Sequence, residues 1–174
     1  MRMTMTKRPF RIGGCLVAVL LALPMLSLAA APAETTTATG NSVREATKLL
    51  HGIAADARMV RMHARKAERL SKEASPTWSA YDHQWNAMAP NIEDMSMKLG
   101  RLQGMRASLP DWQQQAIDHT APLIREVAGN SKEFRTFLNE HGSDLTNPMF
   151  GTYAGKIFNA SREIAQTAGK TKNS

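Results

Sequence analysis

The chain has 174 residues, 43% of them hydrophobic, with 22 basic and 15 acidic side chains and a formal charge of +7. Its one cysteine, Cys15, excludes an internal disulfide framework and a thiolate metal cluster. No Gly-rich phosphate loop and no Cys-x-x-Cys-His haem attachment occurs in the sequence.

The first residues read as an address. Arg2, Lys7, Arg8 and Arg11 make a basic start, an apolar run extends from Cys15 to Leu28, and small residues close the segment at Ala31-Pro32-Ala33. That order is the pattern of a secretory signal peptide, with cleavage expected after Ala33 and a periplasmic or secreted destination. The rival is a retained anchor, because residues 12–31 are about long enough to span a bilayer. Pro24 and the small-residue ending favour cleavage. Ile12-Gly13-Gly14-Cys15 is not a lipidation signal, since the apolar run follows the cysteine. The segment 1–33 holds four basic and no acidic residues, so 18 basic and 15 acidic remain, a charge of +3. The high overall charge therefore lends little support to nucleic-acid binding. The remaining 141 of the 174 residues can bury a single core without cross-links.

Residues 34–41, rich in Thr and Ala, read as a flexible leader. The first helix is expected over 42–72, opened by a capping box at Ser42-Val43-Arg44-Glu45. Its apolar seam is Val43, Ala46, Leu50, Ile53, Ala57, Val60, Ala64 and Ala67. Ser75-Pro76 sets the start of a second helix over 76–103, with Gly104 as the stop. Here the seam is Trp78, Tyr81, Trp85, Met88, Ile92, Met95, Leu99 and Leu102, an unbroken alternation of three and four that only a helix produces. The third helix is expected over 109–141, continuous through Gly129-Asn130, with seam Ile117, Thr120, Ile124, Val127, Ser131, Phe134 and Leu138. Asn147-Pro148 opens the fourth, over 148–167, with seam Phe150, Tyr153, Ile157, Ala160 and Ile164; the tail from 169 is expected to be disordered.

Four seams joined by short turns predict an all-α fold, an antiparallel up-down-up-down four-helix bundle with coiled-coil-like packing and a crossing angle near ~20°. Small residues of the first helix fall opposite large ones of the second, Ala67 with Tyr81, Ala64 with Trp85 and Ala57 with Ile92, which fills a core without voids. One end gathers Trp78, Tyr81, Trp85, Phe134, Phe137, Phe150 and Tyr153. The other is aliphatic, with Leu50, Met95, Leu99, Leu102 and Trp112. Pro90 and Pro122 fall on outward positions, where a proline frees a carbonyl that water can satisfy. Matched curvature is the plain reading, and a binding groove or hinge the sharper one.

Catalytic constellations are not legible. A di-metal bundle site needs Glu-x-x-His, but Lys48, Val60, Ala80, Ala116 and Leu138 stand three residues before His51, His63, His83, His119 and His141. Asp82-His83 and Asp118-His119 are neighbours, so on a helix they diverge. A b-type haem is conceivable through Met88, Met95 and His63; the plain reading of seam methionines is core filler. No metal, cofactor or catalytic residue is expected, and no enzymatic role. The one coherent surface feature is basic: Arg58, Arg61, Arg65 and Lys72, with Arg69 beside them, recur at helical spacing on the outer side of the first helix. It suits an anionic membrane surface or an acidic partner, against the plain alternative of a solvated face eased by Asp56, Glu68 and Glu73.

Leu109-Pro110-Asp111-Trp112-Gln113 resembles the Leu-Thr-x-x-Gln motif of small periplasmic stress chaperones of the Spy and CpxP kind, with proline in place of threonine and a single copy. Arg101-Leu102, Trp112 through Ile117, Pro122-Leu123, Arg125-Glu126 and Phe137-Leu138-Asn139-Glu140 resemble a group of exported all-helical proteins from environmental bacteria. The second likeness implies export and a helical fold and carries over no site residue. The function expected is therefore an exported envelope protein with a structural or surface-interaction role. A haem- or small-molecule-binding bundle and a periplasmic stress chaperone are the alternatives.

Overall fold

The computed structural model describes residues 40–170; residues 1–39, where a signal segment and a leader are expected, and the last four residues lie outside the described residues. Four long helices account for nearly all of them: α1 Gly40–Leu70, α2 Trp78–Met105, α3 Asp111–Glu140 and α4 Met149–Gly169, with a 3₁₀ turn over Arg106–Ser108. No strand occurs among the described residues. Both α1 and α3 pack against α2 and α4.

The seams bury as their spacing requires. All the seam residues of α1 except Val43 are in the core, as are Tyr81, Met88, Ile92, Met95, Leu99 and Leu102 of α2, the whole α3 seam from Ile117 to Leu138, and Phe150, Ile157, Ala160 and Ile164 of α4. Periodicity did not reveal a second buried row. Leu49 and Ala54 of α1 and Ala154, Ser161, Ala165 and Ala168 of α4 are also buried. With small side chains on both facing surfaces, the backbones of α1 and α4 come close, and theirs is the most extensive helix contact. At Gly151 of α4 a Cβ would lie 2.6 Å from Oγ of Ser71, the residue just past the end of α1.

Helix ends depart from the sequence reading in informative ways. The first helix begins at Gly40, so Gly40 and Asn41 belong to it rather than to the leader. Ser42 then sits inside the first turn, two residues past the start of the helix. Pro76 is not the first helical residue of α2. Thr77 is the N-cap, extended at φ −109° and ψ 150°, its Oγ1 accepting from the Ala80 amide at 3.2 Å. Gly104 stops nothing: α2 runs through it to Met105 before tightening into the 3₁₀ turn. Arg106 then clamps Asp118 across that turn with two hydrogen bonds of 2.8 and 2.5 Å, which hold the Asp118 carboxyl below its ordinary range. The third helix starts at Asp111 and passes Gly129 unbroken. Asn147 Oδ1 accepts from the Met149 amide ahead of α4, which continues to Gly169 because Ala165 and Ala168 are still buried.

Two tryptophans are more exposed than the sequence reading suggests, Trp78 from the seam of the second helix and Trp112 from the aliphatic end. Trp78 is 41% exposed: starting α2 at Thr77 makes it the first helical residue, and its indole rests on the α3–α4 connection, 3.1 Å from where a Gly142 Cβ would stand. Trp112 is 39% exposed, and its neighbour Gln113 takes the inward position instead. The fully buried Gln113 side chain donates from Nε2 to Val43 O at 2.9 Å and to Thr47 Oγ1 at 3.0 Å, joining α3 to α1.

The other rings converge as expected. Tyr81 stacks on Phe150 at 4.6 Å, and Phe134 meets both edge-on at 5.9 Å. Phe137 contacts Phe150 and Tyr153. Trp85, half-buried, stays outside this cluster and donates its indole N–H to Ser131 O at 3.2 Å. Burial pushes the Tyr81 phenol up to about 12, with the Glu73 carboxylate adding to the shift. Pro90 and Pro122 are exposed within uninterrupted helices, and Asn86 and Asp118, whose carbonyls they free, are exposed too.

Candidate interaction surface

Helix α1 presents one continuous solvent face. Its exposed residues from the second turn to the end are Arg44, Lys48, His51, Ala55, Arg58, Met59, Met62, Arg65, Lys66 and Arg69. At 100° per residue these fall within one arc of about 120°, and the 25 steps from Arg44 to Arg69 span about 37 Å. Six of the ten are Lys or Arg and none is acidic.

The acids of α1 are all turned to its flanks, and each is engaged. Glu45 binds Arg101 of α2 at 2.5 Å, Asp56 binds Lys98 of α2 at 2.6 Å, and Glu68 binds Lys72 at 3.0 Å. The exposed faces of α2 and α3 carry the opposite bias, with Glu93, Asp94, Asp111, Asp118, Glu126, Glu133 and Glu140 among them. The exposed face of α1 is thus strongly positive along one rod, a distribution that concentrates anions there.

The four residues singled out by spacing have different situations. Arg65 is exposed, with its guanidinium 5.3 Å from the Phe158 ring centre on α4. Arg58 is exposed and reaches the last turn of α4, 3.3 Å from where a Gly169 Cβ would lie, beside the negative end of that helix dipole. Arg61 is half-buried. Lys72 lies past the end of α1, tied to Glu68. So the row suggested by spacing leans onto α4, and the free face is rotated from it. Sequence reasoning missed Lys66, Arg44, Lys48 and above all Met59 and Met62, which are 44% and 42% exposed in the middle of the face. Their signal was present, as two methionines lying off the seam between basic residues.

Elsewhere the titratable groups are dispersed. Asp82 pairs with Arg135, which also lies 4.5 Å from the Trp85 ring centre and 5.7 Å from that of Trp78. His119 contacts Glu163 at 3.1 Å, away from the Arg106-bound Asp118. Among the described residues no three His, Cys, Asp or Glu side chains are grouped to hold a metal. Met88 and Met95 are fully buried on one face of α2. Two turns separate them by roughly 10 Å, so they cannot be the two axial ligands of one haem iron. His63 is hydrogen-bonded through Nδ1 to Gln84 Oε1 at 3.0 Å. A shallow groove of about 310 Å³ runs between α2 and α3 beside Trp85, Ala89, Ile92 and Ala128. Among the described residues, no helix is long and apolar enough to cross a membrane. Comparison with protein-family models, curated proteins and solved structures found no match to this chain.

Proposed function

We propose that the chain is an exported protein of the cell envelope, periplasmic or secreted, that acts by attachment and carries no catalysis. The observation that carries this reading is the exposed face of α1, with six cations over about 37 Å, no acid among them, and every acid of the helix already paired. Export rests on the three-part pattern of residues 1–33.

The attachment face belongs, in this reading, to an up-down-up-down bundle with shallow, coiled-coil-like crossings. Residue pairs across each boundary support the alternation, because one partner climbs as the other falls. Between α1 and α2 these are Glu45 with Arg101 and His63 with Gln84. Between α2 and α3 they are Asp82 with Arg135 and Trp85 with Ser131, and beyond the end of α2 Arg106 with Asp118. Between α3 and α4 they are His119 with Glu163 and Phe137 with Phe150. Between α1 and α4, Arg65 lies over Phe158 and Arg58 beside Gly169.

The test is photo-crosslinking in intact cells from Ala55 on the basic face and from Ser79 on α2. Capture of an envelope component from Ala55 and not from Ser79, lost with Lys66→Glu and Arg69→Glu, is the expected result. Equal capture from both positions removes the reading.

The groove beside Trp85 supports a second reading, a small apolar ligand between α2 and α3. Such a ligand would quench or shift Trp85 fluorescence, and a haem ligand would give the exported protein a Soret band.

A further inference from the structure

We infer that the partner of the α1 face is an anionic lipid bilayer, with Met59 and Met62 entering the headgroup layer between the basic side chains. This rests on the attachment reading above and names its partner. Cations alone would serve an acidic protein equally well. What separates the two is the centre of the face, where Met59 and Met62 stand 44% and 42% exposed with Ala55 beside them, an apolar patch framed by Arg58, Arg65, Lys66 and Arg69. A partner read through its carboxylates alone would leave that patch in water, and single-stranded nucleic acid would stack on Phe, Tyr or Trp, none of which is among the ten exposed residues of this face. A bilayer interface takes both: anionic phosphates meet the guanidinium and ammonium groups while unbranched apolar side chains pass between headgroups. The helix is also built to lie flat. Its opposite face is locked into the core through Ala46, Ile53, Val60 and Ala67, so α1 rests on the surface without leaving the fold. Long basic side chains reach outward while their stems cover apolar surface.

The test uses the exported form of the full chain and vesicles of phosphatidylcholine with and without phosphatidylglycerol. Co-sedimentation is expected with phosphatidylglycerol and not without it, and salt should weaken it. Lys66→Gln with Arg69→Gln should cut the affinity about twentyfold or more, at about fivefold per cation. Met59→Ser with Met62→Ser should cut it several-fold, with the salt dependence unchanged. A polarity-sensitive dye on Met59→Cys, in a Cys15→Ser chain, should shift to the blue on these vesicles. The same dye on Met97→Cys of α2, a site 57% exposed, should not. Equal binding to pure phosphatidylcholine overturns the inference, as does binding with no blue shift at position 59. If vesicle binding fails while charge reversal still abolishes crosslinking in cells, the partner is an acidic protein and the attachment reading stands. If crosslinking also fails to respond, both fall.

Discussion

Around Tyr81 the helices meet through rings, and around Gln113 they meet through amides and hydroxyls. In the first region Tyr81, Phe134, Phe137, Phe150 and Tyr153 interlock from three helices. In the second, one glutamine bridges α3 to the carbonyl of Val43 and the hydroxyl of Thr47, and its own Oε1 is buried without a partner. Burying rings gains free energy in proportion to the area removed from water, whatever the angle. A buried amide contributes little net energy but has only a few acceptable geometries, so it fixes which residues meet. Of the two, the aromatic region contributes the larger share of stability, and the amide fixes the seating of α3 on α1.

The sharpest way to break that contrast is Phe150→Ala. The ring is fully buried and touches Tyr81, Phe134 and Phe137. The expected loss is about 3–5 kcal/mol by denaturant unfolding. A loss near 1 kcal/mol would mean that the cluster is not the main store of stability. Gln113→Leu fills similar space, removes the unpaired oxygen and gives up two hydrogen bonds. Its expected cost is about 1 kcal/mol or less, with α3 less well registered, seen as faster amide exchange at Val43 and Thr47.

The aromatic region also titrates. Tyr81 has its pKa raised to about 12 from 10.0, burial first and the Glu73 charge second. The buried phenol stays protonated where the unfolded one would ionise. Its contribution is complete below pH 10 and is lost as pH rises through about 12. Unfolding midpoints should fall over that window, and Tyr81→Phe should flatten the fall. A smaller effect is expected at Ser161 on α4, whose buried hydroxyl has no hydrogen-bond partner among the described residues. Ser161→Ala should leave stability unchanged or raise it by up to about 1 kcal/mol, measured by thermal melting. Lys66→Gln and Arg69→Gln, in solvent, should move stability by no more than about 0.5 kcal/mol.

How far the sequence could be read follows from the same physics. Seam residues such as Met88, Ile124 and Ile157 were legible because a 3.6-residue period records burial directly. Ala54, Ala154 and Ala165 were not, since alanine is equally at home outside and inside, and only the close approach of α4 puts them in the core. Trp78 was misplaced at a helix start, where a shift of two residues in the cap turns a side chain from the core toward water. At the candidate surface the cations were visible in the spacing, but the free arc was not. Which side of α1 remains open depends on where α2 and α4 settle.

The amphipathic periods, the turn residues and the three-part leading segment determined by themselves that this chain would form four helices and that it carries an export pattern, because those signals are local and each residue holds its own share. Which helices lie side by side, that α1 and α4 approach through small residues, and that Met59 and Met62 end among exposed cations rather than in the core were decided only in the tertiary structure. The reason is that a helix has two flanks that can each be buried, and only the neighbours it acquires select which part of its surface stays in contact with water.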